Sequence, residues 1–412
     1  MLKLLGAAEM TSGKLEERTT LTESRFKSSY FTRNRKMPFT EVLKFLLSMY
    51  KTSSQAALNQ YFRGKEEHMT QQALSKTRNH FDHTPFQKIF CTVRDAAYNE
   101  ENIVDMKRFM GMFLVAVDGS ETALPNLPQL CEKFGGTGRC ASSPTARISI
   151  AYDVENDFIL DAEMSALSTG ERTHALHHLE EVGNLLPLKE TLFIFDRGYP
   201  SKKFILELNQ KTNYLMRVKK KFSKSVDAAP MGSSILNLYG ISVRVVKLTL
   251  PSGETETLIT NLFNLETEIF SALYFKRWPV EVKYDIVKNK LELPNFSGFT
   301  KNILMQDFWI SMYLANMAAI AKAEADLKIQ EARKEKNNKY AYQANVNLVI
   351  ASFREQFALA VFSESSEERI QKVNAIIYEV AASASPIRPN LNPPRYLHSR
   401  SSKFHHNKKS NL

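Results

Sequence analysis

Cysteine is scarce: Cys91, Cys131 and Cys140 are the only three in a chain of 412 residues. Three unevenly spaced thiols exclude a disulfide framework and fit a reducing cytosol. Cys131 and Cys140 flank a glycine-rich loop, but no second ligand pair accompanies them, so a zinc site is not expected. Long apolar runs are also missing. The stretch from Phe308 to Ala321 falls short of the ~20 residues a membrane span needs and contains Asn316, so it reads as a core helix. Met1 to Met10 offers only Lys3 and a brief apolar run, too little for a secretory signal. No internal repeat is found, and no acidic residue occurs from Pro386 to the end.

What is present suits a globular protein with a large core and at least one smaller module: 43% hydrophobic and 24% charged residues. Lysine and arginine outnumber the acids 55 to 44, a formal charge of +11, which favours polyanionic partners without specifying one. Residues 1–37 are polar, rich in Thr and Ser, and close on Arg33, Arg35 and Lys36. They read as a weakly ordered basic arm or a DNA-touching strap.

From Pro38 the pattern turns helical, with Phe39, Val42, Leu43, Phe45 and Leu46 on one face. Ser53 or Ser54 can cap a second helix through Tyr61, and Thr70 a third from Gln71 to Phe81. That third helix carries Gln71, Gln72, Ser75, Lys76, Arg78 and Asn79. With a turn at Gly64, the region 38–108 fits a helix-turn-helix-like DNA-binding domain or an ordinary helical bundle with a solvated face.

The period then changes. Phe113 to Val117 is a strand-like run ending at Asp118-Gly119-Ser120, and Arg147 to Tyr152 and Asp157 to Met164 form a hairpin. A helix from about Glu171 to Val182 precedes the apolar run Thr191 to Phe195, which stops at Asp196. A short helix holding Leu206 and the strand Tyr214 to Val218 follow. Residues 220–266 read as a β-rich insertion, in which Pro251-Ser252-Gly253 joins two strands. Helical periodicity runs from Ser271 to about Ala382, with Lys322 to Lys336 a solvated face; from Pro386 four prolines and a run of Lys and Arg imply a disordered basic tail. The fold class is mixed α/β. Its expected divisions are 1–37, 38–108, a central α/β region 109–321, a C-terminal helical region 322–385 and a tail 386–412.

Asp118 and Asp196 each close a predicted strand, so neighbouring parallel strands present both carboxylates at one sheet edge. Hard cations such as Mg²⁺ take oxygen ligands, and a third carboxylate would complete a cage suited to phosphoryl transfer. Taken alone, an Asp at a strand end is more often a turn former. Further along, Tyr274, Arg277, Glu281 and Lys288 fall within about a 60° arc of helical angle. An acid flanked by two cations and a phenol suits a phosphate diester, while an isolated stripe of this kind is better explained by i,i+4 surface pairing. Pro279 lies inside the stripe. An interior proline kinks a helix or starts one, and a start there would take Tyr274 and Arg277 off the common face.

Together these residues resemble bacterial insertion-sequence DDE transposases of the insertion-sequence-4 family, whose signature is Tyr, two residues, Arg, three, Glu, six, Lys. Tyr274, Arg277, Glu281 and Lys288 meet that spacing. Val117-Asp118-Gly119-Ser120 with Leu124-Pro125 looks like the family's first-aspartate region, Phe195-Asp196-Arg197-Gly198-Tyr199-Pro200-Ser201 like its second, and Asn295-Phe296-Ser297-Gly298 also has a family counterpart. The resemblance runs from about Pro38 to Ile350. It implies an RNase H-like catalytic core interrupted by a β-insertion, with Asp118, Asp196 and Glu281 catalytic and holding Mg²⁺, for which Mn²⁺ can substitute. Tyr274, Arg277 and Lys288 would bind DNA phosphates.

The resemblance further implies a cytoplasmic, nucleoid-associated enzyme. It would bind the terminal inverted repeats of its element, pair them as a homodimer, cut the strands and join them to target DNA. Arg197 either reaches a DNA phosphate or braces its loop, and Lys219 to Lys221 either line a DNA channel or form a solvated strand end. His174, His177 and His178 place two imidazoles at i,i+4, read here as a solvated helix face. Some family members stack a flipped base on a tryptophan of the insertion, whereas this chain's only tryptophans are Trp278 and Trp309. The alternatives are a catalytically inactive, repurposed DNA-binding protein and another RNase H-like nuclease such as a junction resolvase.

Overall fold

The computed structural model describes residues 2–33, 36–49, 53–138 and 142–388. Arg35, Cys140 and the expected tail beyond Arg388 lie outside the described residues. Contacts divide the chain into two units. The first comprises residues 18–36 and 51–316, and the second residues 2–17, 37–50 and 317–412.

The first unit is built on one mixed sheet. Its strands are β1 (Phe113–Ala123), β2 (Gly136–Thr137), β3 (Ser143–Asp153), β4 (Phe158–Ala166), β5 (Thr191–Phe195), β6 (Asn213–Arg217), β7 (Gly232–Leu238), β8 (Ile241–Thr249) and β9 (Thr255–Thr260). They order as β2-β3-β1-β5-β6-β9-β8-β7, with β4 also paired to β3. The β1–β3 and β3–β4 pairs are antiparallel, while β1–β5 and β5–β6 are parallel. The helix Lys202–Lys211 makes the crossover between β5 and β6, the kind of connection a parallel pair requires. Strands β7 to β9 extend this same sheet: β9 pairs antiparallel with β6, β8 with β9 and β7 with β8. The polar alternation of β7 did not mark it as a strand in the sequence; it is the sheet's outer strand, with one face in water.

Period-two alternation places Leu114 and Asp118 of β1 on one face with Leu192, Ile194 and Asp196 at the β5 side. Leu114, Leu192, Ile194, Leu215, Val246 and Leu258 form a core with Phe270, Leu273 and Tyr274 of the helix Ile269–Phe275. The helix that precedes Glu281 is thus seated on the sheet face that carries the two aspartates. On the opposite face, the helix Glu171–Gly183 buries His174, Ala175, His178, Leu179 and Val182.

Residues from two of the polar faces expected from sequence are buried, while Gln71, Gln72 and Lys76 of the first remain exposed. Arg78, at the end of the helix Gln71–Arg78, is 2% exposed and bonds Asp307 at 2.8 Å, Gln306 at 2.9 Å and Ser297 at 2.6 Å. It is a structural cation rather than part of an exposed polar face, and its partners, more than 200 residues away, gave no local signal. Ser297 also donates its backbone N–H to Asp307 at 2.7 Å, and a Cβ on Gly298 would stand 2.7 Å from Ile303. The Asn295 to Gly298 segment therefore serves packing around Arg78.

His174 and His178 are likewise buried, which corrects the solvated-face reading; only His177 of the three is exposed. Their acidic partners sit on β4, where Asp161 and Glu163 interrupt an otherwise apolar strand.

In the second unit, Leu4–Glu16 is a helix that buries Leu4, Ala7, Ala8 and Leu15. Apolar spacing of three and four residues supports it, although Thr and Ser diluted that signal within the expected arm. Phe39–Ser48 also belongs to this unit, whereas Ser54–Tyr61 and Gln71–Arg78 belong to the first. Helices Val346–Ser352, Ala358–Val361 and Ser366–Ala382 and the ribbon of β10 (Tyr342–Ala344) and β11 (Ala384–Pro386) complete it, with the second half of Lys301–Arg333. Among the described residues no helix is long and apolar enough to cross a membrane.

Candidate active site

The β1–β5 register fixes the site. The last parallel pair is Val117 with Phe195, so Asp118 and Asp196 each stand one residue beyond it on adjacent strands. β5 ends there, as expected. β1 does not: it continues to Ala123, paired with β3, and Asp118 lies mid-strand opposite Ile150. The polar run from Gly119 to Thr122 concealed this continuation because its pairing partner is non-local.

Pro279 starts a helix, so Tyr274, Arg277, Glu281 and Lys288 do not share one continuous face. Tyr274 lies in the last turn of the helix Ile269–Phe275, Arg277 lies in a connecting turn, Glu281 sits in the first turn of Pro279–Asp285, and Lys288 lies in a π-helical turn, Ile286–Lys290. The turn is closed by i→i−3 bonds from Arg277 N–H to Tyr274 O, Trp278 N–H to Phe275 O, Val280 N–H to Arg277 O and Glu281 N–H to Trp278 O. Proline at N1 needs no donor. The four side chains reach one region through tertiary contact instead.

Tyr274 donates its hydroxyl to Asp196 at 3.2 Å. Arg277 donates to Glu281 at 2.6 Å and stands 3.9 Å from Asp118. Lys288 reaches the overhanging part of β1, donating to Ser120 Oγ and Glu121 O, each at 2.5 Å. Two neighbours anchor the Glu281 helix. Tyr284 donates to the Asp118 carbonyl at 2.7 Å, and the buried Lys283 pairs with Asp157 in the β3–β4 turn at 2.6 Å. Neither was singled out in the sequence, although Tyr284 lies three residues beyond Glu281, within the same helical arc.

Arg197 is exposed and makes no hydrogen bond or ion pair among the described residues. The Asp196 loop is braced instead by Arg172, which donates to Tyr199 O at 2.7 Å and Gly198 O at 3.0 Å. Lys219 to Lys221 are exposed at the end of β6.

Burial and charge act together on the ionisable groups of the site. Burial pushes the Asp118 carboxyl from 3.8 up to about 6, against the pull of Arg277 and a bond from the Gly119 N–H, while Asp196 and Glu281 push it further. Burial raises Tyr274 strongly, with the Asp196 charge adding to it. Lys288 is lowered by burial and partly restored by Glu121 and Asp118. Asp118, Asp196 and Glu281 are hard oxygen donors, and a buried, proton-seeking carboxylate among like charges fits a divalent cation.

In this arrangement the Arg277 guanidinium supplies the positive charge beside Asp118 and Glu281. Among the described residues, the cluster that brings three potential ligand atoms within 4.8 Å of one another is a different one, Asp161, Glu163 and His177. Asp161 pairs with Ala151, which pairs with Val117, so that cluster belongs to the opposite face from Asp118.

Compared with solved structures, the chain is similar to a piggyBac transposase in a synaptic complex with hairpin DNA determined by cryo-EM. The TM-score is 0.47 and the identity 8%, over 90% of this chain and 82% of that one. No curated protein matches the sequence. The family described as "Transposase DDE domain" matches residues 110–317, a span that begins just before β1, contains Asp118, Asp196 and Glu281, and ends within the helix Lys301–Arg333. Covering just over half of the chain, that match shows that this protein belongs to the DDE transposase family.

Proposed function

We propose that the protein is a cut-and-paste DNA transposase of the insertion-sequence-4 type. It binds the terminal inverted repeats of its element as a homodimer, cuts the strands and transfers them to target DNA, with Asp118, Asp196 and Glu281 as the catalytic acids. The observation that carries this reading is the β1–β5 register, which sets Asp118 and Asp196 side by side on the face toward which the Tyr274–Lys288 segment turns. The strand order β4-β3-β1-β5-β6 supports an RNase H-like core, with β7 to β9 as the insertion before the Glu281 helix. Residues 38–108 would read DNA, and the segments 1–37, 322–385 and 386–412 would flank the catalytic region 109–321.

Asp118, Asp196 and Glu281 would hold Mg²⁺, or Mn²⁺ in its place; the bound ion would lower the barrier to attack on phosphorus and stabilise the departing oxygen. In the first reaction a water oxygen bonds to phosphorus, the P–O3′ bond breaks, and the water's proton balances the released 3′ hydroxyl. That hydroxyl then attacks a second phosphodiester, and no covalent protein intermediate is required. Arg277 and Lys288 supply guanidinium and ammonium donors to the phosphate oxygens, and Tyr274 orients Asp196. Arg197, exposed beside Asp196, is available to a DNA phosphate.

Replacing Asp118, Asp196 or Glu281 singly by Ala should abolish cutting of DNA bearing the element's ends while leaving mobility-shift binding intact. Cutting that survives in all three variants would refute the assignment. Preference for branched junctions over linear element ends would point to a resolvase instead.

A further inference from the structure

The acid-bearing segments each carry a glycine close behind: Gly119 follows Asp118, and Gly198 lies two residues after Asp196. Neither has a positive φ, so backbone conformation does not require glycine at either position. Both are instead approached by one side chain. A Cβ on Gly119 would stand 3.2 Å from Cγ and 3.3 Å from Oε1 of Glu171, and a Cβ on Gly198 would stand 3.3 Å from Glu171 Oε2. Glu171 opens the helix Glu171–Gly183, which packs on the face of the sheet opposite to Asp118. Its carboxylate lies against two acid-bearing segments where neither has a side chain to exclude it.

A second observation points into the same place. The Tyr199 hydroxyl is buried, 1% exposed as a residue, and has no hydrogen-bond partner among the described residues. After burial itself, the charges of Asp118, Glu171 and Asp196, in that order, push this phenol up, and the Arg147 guanidinium pulls it down. A buried phenol left unpaired is a donor that costs stability unless something joins it. Tyr284, the neighbour that holds the Asp118 carbonyl, also feels both Asp118 and Glu171. The next residue, Arg172, ties the helix start to the Asp196 loop through the carbonyls of Gly198 and Tyr199. The position of Glu171 relative to Asp196 is therefore held on both sides.

From this geometry we infer that Glu171 is a fourth carboxylate of the divalent-cation site, entering from the opposite sheet face through the space that Gly119 and Gly198 leave open. The inference rests on the proposed reading of Asp118 and Asp196 as metal-holding acids. Glu171 adds negative charge to the site and fixes the separation of the two aspartate-bearing segments. The Tyr199 hydroxyl is then a donor for a water or carboxylate oxygen ordered by the cation.

The test is Mn²⁺ binding to the full-length protein without DNA, measured by calorimetry for the wild type, Glu171→Gln, Asp118→Asn and Asp196→Asn, with thermal unfolding of each in chelator as the folding control. Glu171→Gln keeps the shape and removes the charge, so it should leave unfolding unchanged and weaken Mn²⁺ about tenfold or more. Wild-type Mn²⁺ affinity in a folded Glu171→Gln, with affinity lost in the two aspartate variants, would overturn the role of Glu171 and leave the aspartate assignment standing. Unchanged affinity in all three variants would overturn both. If Glu171→Gln fails to fold, Glu171→Asp takes its place: it keeps the charge but shortens the reach, and unaltered Mn²⁺ affinity there would also count against the inference.

Discussion

At the scale of single residues, Asp118 shows what burying a carboxylate beside other acids costs. A carboxylate removed from water beside two other acids holds its proton up to about pH 6 in the folded chain, against 3.8 as an ordinary side chain. By linkage, the proton favours folding fully below pH 3.8, and that advantage is gone above about pH 6. At pH 8 the ionised carboxylate should cost the folded chain on the order of 3 kcal/mol. Asp118→Asn, isosteric and neutral, should therefore unfold at a higher temperature than the wild type at about pH 8 in chelator, with the gap narrowing toward pH 4.5. Equal melting temperatures across that range would show that Asp118 is not under this strain. Arg277 carries the complementary burden. It bonds Glu281 and faces Asp118, yet its Nε is buried with no partner among the described residues, a donor that a phosphate oxygen would satisfy.

At the scale of elements, the site depends on two helices held to opposite faces of one sheet. The Glu281 helix is fastened by Tyr284 and Lys283, and the Glu171 helix by a buried relay. In that relay His178 bonds Asp161 at 2.6 Å and Ser149 at 2.9 Å, and Ser149 donates to the Asp118 carbonyl at 3.2 Å. Deleting the imidazole would leave Asp161 buried without its partner. His178→Ala should cost about 3–5 kcal/mol, read as a lowered denaturant midpoint, and a loss below about 1 kcal/mol would mean the relay is not structural.

These elements also mark how far the sequence could be read. The apolar run ending at Asp196 is a local signal and was legible, while Pro279 marked an interruption before Glu281 without deciding between a kink and a helix start. The continuation of β1, the burial of His174 and His178, and the lodging of Arg78 against Asp307 depend on partners distant in sequence, which no local period reports. Glu171 was visible only as the first residue of a helix. What distinguishes it is the glycines of two other segments.

At the scale of the whole molecule, the excess of 11 positive charges and the exposed Lys219 to Lys221 suit a polyanion, and the DDE family gives that charge a context. The β1–β5 register and the segment after the sheet bring Asp118, Asp196 and Glu281, spread over more than 160 residues, into one region, so on the proposed reading the unit must fold as a whole before the site is complete.

The most direct measurement incubates the purified full-length protein with linear duplex containing the DNA that brackets its own gene, in Mg²⁺ or in Ca²⁺, and maps the new ends. The account predicts cuts at the element's ends exposing 3′ hydroxyls in Mg²⁺, bound but uncut DNA in Ca²⁺, and no cuts from Asp118→Ala under either condition. Bound DNA left whole in Mg²⁺ by the wild type, or equal cutting by Asp118→Ala, would contradict it.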